Sequence, residues 1–580
     1  MKDQLGFGLR QRLREGYDAR DFRADLKAGI LVGTIAVPLA MAMAIATGVP
    51  PQYGLYTAIL AGAICALLGG TRVQVTGPTA AMVVLVAPIL KQFGFAGLLV
   101  ATMMAGGILI LMGIARLGRL LQMIPHPVTT GFTAGIAVVL ALGQVHAFVG
   151  IPAAALRDSA GAAPDGAVEM LQGLWRARTL VSYADLGVGV LTLVLLLGLP
   201  RLVKRGPVPL YALVIGAIAA AIVTSVIADA HVATVGSTFS STLGDETVRG
   251  IPPLPPWPGV PWHWTLTDGA TTFHLDYDTL RLLLPSAFAI AMLGAIESLV
   301  TATIADGMCG SKHDPNAELI GLGVANAVVP FFGGIPATGG IVRTATNIRA
   351  GARSPLAAVI QAVFILACTI ALAPLAAYLP MAALAALLLV VAKNVAEARH
   401  FVRLVRVAPR SDVLVLLTCF FLTVAFDLVI AVEVGVVLAA MLFMRRMAVL
   451  TKITLDTQAT AAETPAGVRV YHIAGPMFFG AAKTAMQSLD VADAAARVVI
   501  LEMQHVPVMD ATGLVAMETL LDRLHRSGRE VIIAGLPSEP VEMLHRAGIK
   551  RQPGRLAFAP ELETAVSMAI LSLGRLDAKR

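Results

Sequence analysis

Two short stretches of this chain have the residue types of an anion-binding turn set in apolar surroundings. The first is Gly69-Gly70, then five residues, then Thr76-Gly77-Pro78-Thr79; the second is Gly333-Gly334, then three residues, then Thr338-Gly339-Gly340. From Thr71 to Val75 the residues are β-branched or polar, and Gly77 and Pro78 stop regular structure. Thr79 is placed to cap a short helix running to about Leu90, with Pro78 near its first turn. In the second stretch Ile335-Pro336 disfavours helix, and a short helix resumes from about Ile341. A helix N-terminus offers free N–H groups and the positive end of the dipole. Two such ends meeting in mid-membrane would hold an anion without a fixed cation. Non-helical backbone at that depth is tolerated only around a cavity.

Two charged residues bear on this site. Arg343 stands just inside the second half-helix, where an unpaired Arg in hydrocarbon is costly, so its charge is expected to raise the potential at the anion. The alternative is that Arg343 is simply the first residue beyond the membrane, like Arg349. Glu297 has 15 uncharged residues before it and eight after it. A membrane carboxyl that exchanges a proton is what a symporter needs to couple an anion to the proton gradient. The alternative is a structural carboxylate bonded to a neighbouring helix. Glu318 and Asn326, eight apart, are expected to be polar helix-packing groups, and Asp427 and Glu433 structural or gating ones. Pro38 interrupts the first apolar run, where a kink would open the backbone toward a cavity with Met43 as an apolar wall.

The elements that must position these residues follow from composition. The 580 residues are 57% hydrophobic and only 14% charged, with mean hydropathy +0.78; a soluble domain averages about 25% charged. Ala28–Thr71 and Ser354–Ala392 are runs of 44 and 39 residues without a charged side chain. A crossing helix needs about 20 apolar residues, so each run is two spans with a short turn. The remaining apolar runs bring the total to about 14 crossing or half-crossing helices. This is a polytopic membrane protein, not a secreted enzyme or a nucleic-acid binder. The net charge of +7 has a membrane explanation. Basic residues of the first 27 positions, and later clusters at Arg116/Arg119, Arg201/Lys204/Arg205, Lys312, Arg349/Arg353, Lys393–Arg410 and Arg445/Arg446, all fall on the N-terminal side of the membrane, which the positive-inside rule makes cytoplasmic. The Trp- and Pro-rich segment 230–280 is expected outside, as the joint between two halves of seven helices. Seven per half requires the second half to be inverted, and inverted repeats with interrupted helices in matching positions point to a transporter's binding site. Cys65, Cys309, Cys368 and Cys419 lie in or beside apolar runs, so neither a disulfide nor a cysteine metal site is expected. No cofactor, metal set or nucleophile–base pair stands out.

Four regions are expected: a cytoplasmic segment 1–26, the membrane domain 27–447, a linker 448–464 and a soluble α/β domain 465–575. In the last, Val468–Ala474, Val498–Met503 and Glu530–Ala534 read as strands, and Thr512–Arg526 as an amphipathic helix. Asp510 and Thr512 open that helix as an N-cap arrangement; the sharper reading is a phosphorylatable or partner-binding regulatory site.

These motifs resemble a known family. GILVGTIAVPLAMAMAIATGVPPQYGLYTA, GGTRVQVTGPTAAMVV and AELIGLGVANAVVPFFGGIPATGGIVRTATNIRAG are similar to the SulP anion permeases, relatives of prestin, and VVILEMQHVPVMDATGL is similar to their C-terminal STAS domain. Within the family, DGMCGSKHDPNAELIG, FDLVIAVEVGVVLAAMLFMRR and PGRLAFAP are closest to bacterial C4-dicarboxylate carriers. The resemblance implies a 7+7 inverted repeat with core and gate domains, an elevator-type motion, a homodimer, and an anion held between the N-termini of the third and tenth membrane helices. It implies substrate contacts at Thr76, Gly77, Pro78, Thr79, Ile341, Val342 and Arg343, with Leu39 and Met43 on the first helix and Glu297 on the eighth. Two departures bear on substrate. Many sulfate-type members carry Gln where this chain has Leu39, and prestin-type members carry Ser where it has Val342. Losing an amide from the cavity suits a substrate with a carbon skeleton.

The expected function is therefore proton-coupled uptake of C4-dicarboxylates such as succinate, fumarate or aspartate across the cytoplasmic membrane, with both termini inside. A sulfate or bicarbonate permease using H+ or Na+ is the alternative in the same class. A membrane sensor or scaffold signalling through the STAS domain to a cytoplasmic partner is the alternative from another. Deleting residues 465–580 separates carrier from sensor: labelled-anion uptake into vesicles is expected to persist without them, and its complete loss in a protein still inserted in the membrane would favour the sensor.

Overall fold

The computed structural model describes residues 5–121, 125–157, 164, 166–203, 206–227, 231–243, 246–266, 273–426, isolated helical positions between 434 and 444, 452–455, 465–477 and 496–577. Asp427, Glu433, Arg445, Arg446, Lys204, Arg205 and the expected linker apart from 452–455 lie outside them. The chain forms two compact units, residues 1–436 and 437–580.

The first unit is helical. A short helix α1 (Phe7–Arg14) precedes α2 (Ala19–Ala46), which opens on a capping box: the Asp18 carboxylate accepts from the Arg20 and Asp21 amides at 2.9 and 2.8 Å. Then come α3 (Pro51–Leu68), a two-residue strand β1 (Thr76–Gly77) and α4 (Ala80–Ile114). Gly94, with φ +69°, divides α4 into two arms, a conformation an L side chain resists. The first half of the repeat ends with α5 (His126–Phe148), α6 (Tyr183–Leu202) and α7 (Val208–Val226). The second half runs α8 (Tyr277–Cys309), α9 (Pro315–Val328), strand β2 (Thr338–Gly339), α10 (Ile341–Arg349), α11 (Leu356–Ala371), α12 (Met381–Val395), α13 (Ala398–Val407) and α14 (Arg410–Ala425). The apolar run 319–342 is thus not one span: α9 stops at Val328, and Gly333 at φ +72° with Pro336 keeps the chain non-helical until Ile341. By contrast α2 continues through Pro38.

Small residues set the packing. A Cβ on Gly106 would lie 2.7 Å from the Gly323 carbonyl oxygen, and one on Gly323 2.8 Å from that of Gly106, so α4 and α9 touch backbone to backbone. Around that contact Leu98, Leu99, Leu109, Ile290, Leu293, Leu319 and Leu322 form a core shared by α4, α8 and α9. A second group is built from α5, α6, α7, α12 and α14, with Leu140, Leu196, Leu213, Leu384 and Leu387 buried between helices. Gly131 and Gly135 of α5 let α14 approach closely. Helices α2 and α11 pack on each other through Gly29 and Gly33.

Arg12, Arg72 and Arg353 gather at one end, around Glu15 and Asp21. Gly6 donates to Leu68 at 2.8 Å, Asp314 to Gly70 at 3.3 Å, Gly118 to the Asn316 side chain at 3.1 Å, and Arg353 to Asp21 at 2.7 Å. Burial against Asp25, which accepts its hydroxyl proton, pushes Tyr17 at this end up to about 12. At the opposite end the Trp-rich segment closes the core: Trp264 packs on Tyr53 and Phe95, and Gly259 donates to Phe331 at 2.6 Å.

The second unit carries a five-stranded sheet in chain order: β3 (Lys452–Leu455), β4 (Val468–Ala474), β5 (Val498–His505), β6 (Glu530–Ala534) and β7 (Leu556–Ala559). The first pair is antiparallel and the rest parallel. Helices α15 (Ala511–Arg526) and α16 (Ser538–Arg546) are followed by α17 (Leu562–Asp577). Met517 and Leu520 of α15 cover one face with Val499 and Leu501, and Ala565 and Ala569 of α17 the other with Ile500 and Ile532. The three expected strands and the expected helix are present; β3, β7, α16 and α17 are additional. The Asp510 carboxylate caps α15 by accepting from Gly513 N at 2.8 Å, and Thr512 is exposed.

Replacing Gly323 by Val forces two helix backbones apart. The expected cost is about 1–3 kcal/mol, read as a lower unfolding midpoint in detergent. Gly107→Ala, on the partner helix α4 but with open space at its Cβ, is expected to leave the midpoint unchanged.

Candidate functional site

The two interrupted segments meet. Strands β1 and β2 pair antiparallel, Thr76 opposite Gly339 and Gly77 opposite Thr338. Each Thr-Gly thus faces the other Thr-Gly reversed, as a two-fold axis between inverted halves requires. Gly340 N extends the pairing to Val75 O at 2.9 Å. Directly beyond, α4 and α10 begin, so both N-termini open beside the same strand pair.

Side chains satisfy what the ladder leaves over. The Glu318 carboxylate, 1% exposed, accepts from Gly70 N (3.0 Å), Thr71 N (3.2 Å), Thr71 Oγ1 (3.1 Å), Gln74 Nε2 (2.8 Å) and Ser298 Oγ (3.0 Å). Asn326 does the same service for the second segment: Oδ1 accepts from Ala337 N at 2.9 Å, and Nδ2 donates to Ala337 O at 3.0 Å. The expectation of helix-packing groups is corrected. Both residues point from α9 at non-helical backbone, one for each broken segment, because that backbone has no other partner. Thr57 closes on Ile335, Thr344 accepts from Val75 N, and Asn347 donates to Val73 O.

Arg343 crosses from one half to the other. It is the third residue of α10 and 3% exposed, and its Nη2 donates to the Pro78 carbonyl at 2.7 Å. Its Nη1 is buried with no hydrogen-bond partner. A Cβ on Gly77 would sit 2.5 Å from Nη1, and one on Gly340 2.7 Å from Nε. The guanidinium therefore lies in a slot that only glycine leaves open on both sides. Arg343 is thus buried between the two broken segments, whereas Arg349 is exposed.

Thr79 holds the N-cap position of α4 with extended dihedrals, but its hydroxyl makes no capping bond. It donates instead to Glu297 Oε2 at 2.9 Å. The expected Thr79 cap is thus corrected: a carboxylate across the gap outcompetes the local amide. A cavity of about 480 Å³ lies in front of these groups. Leu39, Met43, Pro78, Thr79, Glu297, Ile341, Val342 and Arg343 all line it. Thr76 and Gly77 do not; they form the strand beside it. Two other hollows, about 650 and 640 Å³, lie at Ser182–His231 and Leu156–Arg176, outside the paired segments. The facing wall of the site comes from the second helix group and was not foreseen: His126, Thr129, Thr130 and Thr133 of α5, with Asn394 and Glu397 at the end of α12. Hydroxyls at 129, 130 and 133 in an otherwise apolar run were the available signal.

A buried guanidinium with a spare donor, two helix N-termini and an acid share one cavity between two helix groups. That arrangement is the one expected of a polytopic helical anion transporter. The chain belongs to the sulfate permease family, whose sequence model matches residues 22–419; a STAS domain matches residues 459–565. YvdB of Bacillus subtilis (strain 168), named provisionally as a sulfate transporter, is 38% identical over 94% of this chain and 97% of its own. The bicarbonate transporter BicA of Picosynechococcus is 28% identical over 96% of each. The fold matches murine Slc26a9 in its inward-facing state with a TM-score of 0.82 at 17% identity, covering 98% of this chain and 94% of that one.

Arg343→Ala removes the one buried cation at the paired segments. Anion uptake is expected to fall below detection while the protein still inserts. Arg343→Lys keeps the charge but cannot bond Pro78 and an anion through a planar fork, and is expected to raise the substrate concentration for half-maximal uptake at least tenfold.

Proposed function

We propose that this anion transporter imports C4-dicarboxylates such as succinate or fumarate together with protons. The observation that carries the reading is the Thr79–Glu297 hydrogen bond, which sets a carboxyl against the N-terminus of α4 in the cavity that Arg343 lines. An ionised Glu297 competes with a substrate anion for the same positive ends. A protonated Glu297 does not, so proton and anion enter together and leave together. One arginine and two helix ends suit the monoanionic form. Leu39, Met43, Ile341 and Val342 supply apolar wall for a carbon chain.

A second reading is favoured by the names of the relatives: sulfate or bicarbonate as cargo, with Na+ between Glu297 and Thr79 in place of the proton. In both, the helix group of α4, α8, α9 and α10 carries the site past the group of α5 and α12 in an elevator-like motion. The carrier sits in the cytoplasmic membrane as a homodimer with the basic end inside. Thr512, exposed at the start of α15, is the candidate contact for a regulatory partner.

Labelled succinate is expected to accumulate in proteoliposomes under an inward proton gradient, more strongly as external pH falls. No succinate uptake beside robust sulfate or bicarbonate uptake would overturn the substrate. Glu297→Gln is expected to abolish gradient-driven accumulation while sparing exchange of preloaded anion. Accumulation that survives the substitution would remove Glu297 from coupling.

A further inference from the structure

Helix α13 is short, ten residues between α12 and α14, and joined to each by two residues. Since α12 and α14 are packed members of the membrane bundle, such short joints hold α13 at the boundary of the bilayer. Its sequence is ARHFVRLVRV. One face turns to the protein: Phe401 stacks on Phe420 of α14 at 5.4 Å between ring centroids, and His400 on His126 of α5 at 5.1 Å. The other face carries Arg399, Val402, Arg403 and Arg406, all exposed, at the three- and four-residue spacing of one helical stripe. Val407, 76% exposed, ends the helix, and Arg410, also exposed, begins the next one. No acidic residue occurs between Glu397 and Asp412. Among the described residues none of the ion pairs involves these arginines.

Four cations without acidic partners, interleaved with exposed valines on a helix held at the bilayer edge, have the chemistry of an anionic headgroup layer. We propose that the Arg399–Arg403–Arg406 face, extended by Arg410, binds anionic phospholipid headgroups. The guanidinium fork takes phosphate oxygens, and Val402 and Val407 enter the acyl boundary. The location gives the contact a consequence. Glu397, the residue before α13, holds a left-handed backbone at φ +40° and lines the anion cavity with Asn394 and Val395. Lipid bound to α13 thereby fixes the helix whose joint forms one rim of the cavity, in the group of helices past which the site moves.

The test needs no transport substrate, so it stands or falls separately from the cargo. Full-length protein in neutral detergent is titrated with phosphatidylglycerol or phosphatidylcholine of matched chains, and the unfolding midpoint is followed. Phosphatidylglycerol is expected to raise the midpoint by several degrees more than phosphatidylcholine, and 0.5 M salt to reduce that difference because the contact is electrostatic. The triple variant Arg399→Gln/Arg403→Gln/Arg406→Gln is expected to lose most of the difference, and the corresponding triple lysine variant to keep it. Equal effects of the two lipids on the native chain overturn the proposal, as does a glutamine variant with the full response. Arg403→Gln alone, expected to lose part of the difference, serves if the triple variant does not fold. A stripe occupied by an acidic protein segment or a second copy would appear as midpoints indifferent to headgroup charge, and that too overturns it.

Discussion

Backbone without helix is buried here in the middle of an apolar bundle, and every other feature of the membrane unit answers to that. Peptide groups there have no water to bond, and each unmet one costs on the order of 1–3 kcal/mol. Residues 69–78 and 333–340 meet the demand by pairing with each other through Thr76–Gly77 and Thr338–Gly339, and by drawing Glu318, Asn326, Thr57, Thr344 and Asn347 from three helices, α9, α3 and α10. Glu318 and Asn326 of α9 serve the two breaks, one each. Pairing also explains the glycines, since strand, guanidinium and helix must pass within contact distance.

The same constraint produces the site. Once the two segments are fastened, the N-termini of α4 and α10 open at a common place, and the positive ends of two helices add to the single buried charge of Arg343. Pro78 O takes one arm of that guanidinium, and Nη1 stays buried without a hydrogen-bond partner. Glu297, reached from α4 through Thr79, brings a negative charge into the same space. The cavity thus brings together one arginine, the carboxyls of Glu297 and Glu397, and apolar walls. The second helix group contributes hydroxyls, His126, Asn394 and Glu397 to the lining, so it forms the facing wall of the cavity.

Much of this was legible residue by residue. The interruption at Gly77-Pro78 and at Pro336 was visible because these residues deny helix wherever they stand, and Glu297 was visible because a carboxylate in a long apolar run has no trivial reason to be there. What misled were residues with two competing partners. Thr79 reads as a cap, since the local amide is its near neighbour; a carboxylate 218 positions away takes its hydroxyl instead. Glu318 and Asn326 read as helix-packing groups because spacing reports a face, not what faces it. Thr76 and Gly77 match the family motif yet stand beside the cavity, their conformation used in the strand pair. In the soluble domain, β7 has only four residues and escaped notice, whereas the longer apolar strands did not.

Sequence alone determined the solvent, the number of breaks and their places in each half, because hydropathy and the dihedral limits of Gly and Pro act locally and need no partner. It also placed the Glu297 carboxyl in the apolar layer and left open whether Arg343 joined it there. Only tertiary structure decided that the two breaks touch, which polar groups belong to the backbone and which to the cavity, and that α5 and α12 form the opposite wall. Those outcomes depend on distances between residues hundreds of positions apart, and a hydrogen bond is decided by distance and angle rather than by residue type.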